Sequence, residues 1–285
     1  MTRLKASGAD LLAAAAIGAT GVLAKGTVSP PLVVAADRNW LCWFGFVTVS
    51  RLRRRPWGTA DAVGSRGFTG GLLFAVSTGS FLYAVVLVPV ATAVLIGAML
   101  PVLALPLDAY RRRQLPAPAP ALLALTAVAG AALLATGGDL KGGAAVVSLV
   151  SGTLYWQVSK DARDAGVAAT SYTRRTMLVS AAALTTAALL HPDVPVLPET
   201  ADWRILPALA LASAVGQALF AWGHAHLPIT VSATLQLCVP IFAAVFAWLF
   251  LDEGLTVMQL TGGGVLLGAL IALVTVSDRP RGVAA

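Results

Sequence analysis

Stretches of about twenty apolar residues, each closed by Gly, Pro or a charged residue, recur along the whole of this chain. A helix needs roughly 20 residues to cross the hydrocarbon layer of a bilayer. Read at that length, the chain offers ten crossings: 9–28, 31–50, 67–88, 90–110, 119–137, 142–160, 170–190, 204–225, 228–250 and 256–276. Strands of a membrane barrel would run about ten residues with strict in–out alternation. These runs are longer and do not alternate. The expected fold is therefore an all-α integral membrane protein with ten transmembrane helices. Gly and Ala crowd many of the spans, and small side chains let helices approach closely in lipid. Composition closes off the soluble alternative. The chain is 58% hydrophobic and 12% charged, against about 25% charged in an ordinary soluble domain. A water-soluble fold of 285 residues built from it would have almost no surface to show to water.

The few charges are placed asymmetrically. With the N-terminus in the cytoplasm, sixteen of the twenty basic residues fall on the cytoplasmic side, from Arg3 and Lys5 through Arg53 to Arg55 and Arg111 to Arg113 to Arg281. Lys25, Arg38, Lys141 and Arg204 fall at outer loops or outer helix ends. Cytoplasmic loops carry such an excess of Lys and Arg. An even number of spans with both termini inside follows, in the cell (inner) membrane. The net charge of +7 is then a matter of topology and of contact with anionic lipid, and no nucleic-acid partner is needed. "MTRLKASGADLLAAAAIGATGVLAKG" begins like a signal peptide but lacks a clean small-residue cleavage site, so a retained first helix is expected. Cys42 and Cys238 stand 196 residues apart in apolar runs, and the chain has no CxxC, HExxH or Walker sequence. No cofactor, no metal and no enzymatic chemistry is expected.

A repeat lies inside this pattern. "PVATAVLIGAMLP" (Pro89 to Pro101) and "PITVSATLQLCVP" (Pro228 to Pro240) share the spacing Pro–x11–Pro at an offset of 139. The same shift lays Tyr83 on Trp222, Val88-Pro89 on Leu227-Pro228, Ala104 on Ala243 and Gln114 on Glu253. At an offset of 135 to 136, Lys25 falls on Lys160 and Arg38 on Arg174. Five spans per half is an odd number, so the second half enters the membrane from the opposite side. The expected domains are two inverted five-helix repeats, 1–137 and 142–277, with a short cytoplasmic tail, 278–285. Inverted repeats are the architecture of secondary transporters, whose halves exchange roles between outward-open and inward-open states.

The segment "GHAHLPITVSATLQLCVPIFAAVFAWLFLDEGLTVMQLTGGGVLLGALIALVTVS" (223–277) resembles the EamA-like group of the drug/metabolite transporter superfamily. The resemblance rests on the small-residue run Thr230 to Thr234, on Pro240, on the aromatic stretch Trp248 to Phe250, on Asp252-Glu253 and on the glycines Gly262 to Gly264 and Gly268. It extends at lower quality over the first half, where the fourth span ends in "DAYRRRQL" without an acidic pair. It implies a ten-helix permease of small metabolites, often an exporter, with no substrate specified.

Candidate pathway residues follow from the cost of polar groups in lipid. Pro101 and Pro240, expected about midway along their spans, free a backbone carbonyl and bend the helix; the bend either shapes a cavity or is merely tolerated. Gln217 and Gln236 are buried amides that need partners, found either on neighbouring helices or in a wet cavity. Ser77 and Thr78 lie in the third span, where hydroxyls also satisfy local backbone. Tyr155, Trp156 and Gln157 form an aromatic and polar group in the sixth span, suited to lining a cavity or to plain packing. Lys25 and Arg38 either snorkel to headgroups or face the solute. His224 and His226 read as solvated end residues or as sites of proton coupling. No Asp or Glu is expected deep in a span, so no proton relay through a buried carboxylate is visible.

The expected function is a secondary permease, an exporter of small metabolites or amino-acid-like solutes working by alternating access. Its expected partners are a small-molecule solute and membrane lipid; no obligate protein partner is visible, and glycine-rich faces are compatible with a homodimer. A non-transporting membrane scaffold or sensor, or a membrane-embedded enzyme, is the alternative.

Overall fold

The structure is a computed structural model that describes residues 2–52, 60–100, 143–224 and 235–277, with scattered positions between 102 and 126. The described residues are helical apart from turns. They form α1 (Thr2–Lys25), α2 (Pro31–Leu52), α3 (Ala60–Leu87), α4 (Val90–Gly97), α5 (Gly143–Asp164), α6 (Ala169–Leu190), α7 (Leu206–His224), α8 (Cys238–Leu251) and α9 (Val257–Ser277), with a 3-10 turn at Thr200–Arg204 ahead of α7. Most of the expected span 119–137, and the expected tail, lie outside the described residues. Among the described residues three helices are long and apolar enough to cross a membrane: Leu4–Lys25, Pro31–Leu52 and Gly64–Leu87. The chain is thus an all-α, multi-helix membrane protein with at least three spans.

Local chemistry sets the boundaries. α1 starts at Thr2 rather than at 9, because nothing in "TRLKASGADLL" breaks a helix. α3 changes direction at Gly64 (φ +38°, ψ −139°), a conformation that only glycine takes without strain. α4 ends at Gly97, four residues before Pro101, and Ala98 follows with φ −68° and ψ −10°. The single span expected over 228–250 is likewise interrupted at Leu237 (φ −67°, ψ −8°), and α8 begins at Cys238. Pro240 therefore sits in the first turn of a helix, not at the middle of one. A proline has no N–H for the carbonyl four residues back and clashes with it, but the first turn of a helix needs no such bond.

The helices pack mainly across the two halves of the chain. α1 lies against α7 and α8, α2 against α6 and α7, and α3 against α5 and α6. Close approach depends on missing side chains: a Cβ on Gly216 of α7 would come within 2.6 Å of Ile17 Cγ1 on α1. The bundle is apolar outside, with Leu190, Phe250 and Leu211 exposed, and partly polar inside, with Asp10, Asn39, Thr176 and Ser180 fully buried. That distribution suits lipid, which solvates Leu and leaves polar groups to find one another inside.

Candidate functional site

A polar cluster in the described interior is built on two adjacent residues of α2. Arg38 is 7% exposed and Asn39 is fully buried. Arg38 donates from Nε (3.2 Å) and Nη2 (2.9 Å) to the same oxygen, Asn39 Oδ1. Nη2 also donates to Thr78 Oγ1 on α3 at 3.0 Å. The Asn39 amide in turn donates to Ser180 Oγ on α6 at 2.7 Å. The Phe74 ring lies under the guanidinium at 5.9 Å, within reach of a cation–π attraction. At 1.5 Å per residue, Arg38 lies about 10 Å inside the start of α2, and Ser180 lies near the midpoint of α6. Trp40 adds a second α2–α6 tie by donating to Thr185 Oγ1 at 3.0 Å.

A second cluster closes one end of the bundle, where α1 and α8 finish and α4 begins. Lys25, at the end of α1, pairs with Glu253 and donates to the carbonyl of Val88 at 3.2 Å. Glu253 Oε2 accepts from the backbone N–H of Val90 at 2.9 Å. The carboxylate thus caps the N-terminus of α4, where Pro89 offers no side-chain cap and a negative charge meets the unpaired N–H groups. Asp252 aims it. This residue takes the left-handed conformation (φ +53°, ψ +26°) at the end of α8, which Asp tolerates better than most residues. The turn brings the Glu253 N–H back to the Ala247 carbonyl at 3.2 Å, a helix-ending closure. The acidic pair noticed in the sequence is thereby divided in labour: Asp252 turns the chain and Glu253 makes the contacts.

The same end is held by Asp202 in the 3-10 turn. Its two oxygens accept from the backbone N–H groups of Val28 (3.0 Å) and Ser29 (2.8 Å) in the α1–α2 loop. Ser29 Oγ accepts from Glu199 N–H at 2.8 Å. Burial pushes the Asp202 carboxyl up, but its hydrogen bonds to the Ser29 side chain and to the Val28 and Ser29 backbone outweigh that and hold it below the usual carboxylate range.

The residues singled out from sequence scatter over several places. Arg38 and Thr78 meet in the first cluster, and Lys25 anchors the second. Ser77 exchanges hydrogen bonds with Ser148 of α5, Ser77 Oγ donating to the Ser148 carbonyl at 3.0 Å and Ser148 Oγ to the Ser77 carbonyl at 2.8 Å. Tyr155 is buried against Phe74 (4.9 Å) and Tyr172 (6.3 Å), while Trp156 beside it is 42% exposed. Gln157 and Gln217 are half-buried, as is Gln236, just ahead of the break at Leu237. Pro240 is buried. Pro101 and His226 lie outside the described residues.

Sequence reasoning misses Asn39, Ser180, Glu253, Asp202 and Asp10 as interior or contact residues. Asn39 is legible as a polar neighbour of Arg38 in an apolar run, and Glu253 as the repeat mate of Gln114. Nothing local marks Ser180 or Asp202. Both acidic residues of α1 and α2 lie in the first half of their helices: Asp10 of α1 is fully buried, and Asp37 Oδ2 of α2 is buried with no hydrogen-bond partner among the described residues.

Between α1 and α8 runs an apolar cleft of about 500 Å³, lined by Ala19, Leu23, Gly26, Phe246 and Phe250. Among the described residues no group of three His, Cys, Asp or Glu gathers as metal ligands would.

Residues 143–275 match the EamA-like transporter family. Over 82 residues the chain is 30% identical to a "Probable terminal-alkyne amino-acid exporter" from Streptantibioticus cattleyicolor. That stretch covers 27% of this chain and 28% of the relative, so the chain spans only about a quarter of the length of the curated relative it matches. A crystal structure of a protein with 18% sequence identity superposes with a TM-score of 0.68, covering 98% of this chain and 100% of that one. At that identity the likeness is one of fold.

Proposed function

We propose that the chain is a member of the EamA-like family within the drug/metabolite transporter superfamily, whose model its second half matches, and that it is a secondary permease exporting small amino-acid-like solutes by alternating access. The observation that carries this reading is the matched pair of helix breaks. Ala98 and Leu237 are separated by the repeat offset of 139, hold nearly the same backbone angles, and each stands three residues ahead of a repeat proline. Paired broken helices in inverted repeats are how secondary transporters build a site near the bilayer midplane. The packing supports the same symmetry. Exchanging the halves turns the α1–α7 contact into α5–α3 and α1–α8 into α5–α4, and each of those pairs is packed. The α2–α6 crossing maps onto itself. The full proposal is ten helices in two inverted repeats, 1–137 and 142–277, with both termini and the tail 278–285 in the cytoplasm.

On this reading the Lys25–Glu253–Val90 cluster is an outer gate in its shut state. By sequence offset its repeat mates are Lys160, Gln114 and Ile229, of which Gln114 and Ile229 lie outside the described residues. Gln114 carries no charge where its sequence mate Glu253 does. The relative named as an amino-acid exporter supports the solute class and the direction. The chain carries no Walker sequence, so the flux draws on a gradient. The purified chain in sealed liposomes is expected to move at least one solute of a metabolite panel down a set gradient. Absence of flux for every solute under every imposed ion and pH gradient, in protein that is shown to be folded, overturns the reading.

A further inference from the structure

Resting on the permease reading, we propose that Arg38 is the counter-charge for a solute carboxylate, so that the transported class is small organic carboxylates, amino acids among them. A guanidinium stays protonated in proteins. Placed in the membrane interior without a partner it is costly, and such residues mark solute pathways. The partners Arg38 has are all neutral: Asn39 Oδ1, Thr78 Oγ1 and the Phe74 ring. They orient the cation without neutralising it. Lys25 has its carboxylate in Glu253, but among the described residues Arg38 forms no ion pair. Asp37 precedes it in sequence, yet the helix turns successive side chains about 100° apart, and the two do not pair.

The cluster is also built to hold the guanidinium still. Nε and Nη2 grip one oxygen of Asn39, Asn39 is pinned by Ser180, and Thr78 fixes the other side. Three helices thus fix its plane, while Nη1 donates to no described residue. A carboxylate at Nη1 supplies the missing charge through charge-assisted hydrogen bonds. The place is also right: α2 and α6 cross here, and theirs is the contact that repeat exchange maps onto itself, where the two halves must share a solute.

The test uses the full chain in liposomes with leucine, N-acetyl-leucine and leucinamide as probes, flux and ligand-induced thermal stabilisation being read for each. Leucine and N-acetyl-leucine are expected to be recognised about tenfold or more better than leucinamide. Arg38→Gln, which keeps hydrogen-bonding capacity, is expected to abolish that preference, and Arg38→Lys to restore part of it. If wild-type protein moves other solutes but treats the acid and the amide alike, the permease reading stands and the assignment of Arg38 falls. An unchanged preference in Arg38→Gln overturns it equally. If Arg38→Gln does not fold, the wild-type acid-to-amide ratio decides. If wild-type protein moves nothing, the permease reading falls and takes this assignment with it.

Discussion

At the scale of single residues, two carboxylates do different work at one end of the bundle. Asp202 ties the α1–α2 loop to the turn before α7. Its pKa is lowered by folding, so its contribution is full above the unfolded value near 3.9 and is lost as pH falls through the folded value. Wild-type thermal stability in detergent is therefore expected to drop as pH falls below about 4. Asp202→Asn should remove that component of the acid sensitivity and cost about 1–3 kcal/mol near neutral pH. Wild-type stability of the Asp202→Asn protein at both pH values would remove Asp202 from this role. Glu253 instead joins a cation and a helix N-terminus across a gap between α1, α4 and α8. Glu253→Gln keeps an acceptor for the Val90 N–H but loses the charge opposite Lys25. If this cluster is the outer gate proposed above, a cysteine placed by Ala91→Cys, at a buried position, is then expected to react severalfold faster with a membrane-impermeant thiol reagent added outside, a factor in keeping with a partly exposed ion pair.

At the scale of elements, glycines and prolines decide what the apolar patterning leaves open. The apolar runs mark where helices lie, but prolines fix where they stop: α4 ends four residues before Pro101, and α8 starts two before Pro240. Helix spacing is set by residues such as Gly216. Gly216→Val should place a methyl where Ile17 already stands and cost about 1–3 kcal/mol through overpacking. Its measurement is the thermal midpoint in detergent; an unchanged midpoint would mean that α1 and α7 separate without penalty. Gly45, whose added Cβ would meet nothing within 4 Å, serves as the control.

At the scale of the whole molecule, the difference between the two ends becomes the functional question. If the proposed repeats exchange, Gln114 is the sequence mate of Glu253 and Lys160 that of Lys25. Gln114→Glu is then expected to strengthen closure at the inner end and shift the population toward the outward-open form. The readout is the same Ala91→Cys labelling, which should rise from outside while the overall flux falls. Unaltered labelling would show that the two ends are not related in this way. The membrane class and most helix positions are legible in the sequence, because lipid demands about twenty apolar residues per crossing wherever the chain passes. The helix breaks ahead of Pro101 and Pro240 are legible too, through prolines that cannot sit in a helix interior without consequence. The interior contacts are not. Arg38 and Thr78 read as separate candidates, and only the packing of α2 on α3 and α6 brings them together with Asn39 and Ser180. Glu253 reads as a feature of one helix end, yet its contacts are with Lys25 and Val90, far away along the chain. Hydrophobicity acts on each segment by itself and is written in composition. Partners for a buried polar group depend on which helices touch and at what rotation, and that is decided by the sum of many small contacts in three dimensions.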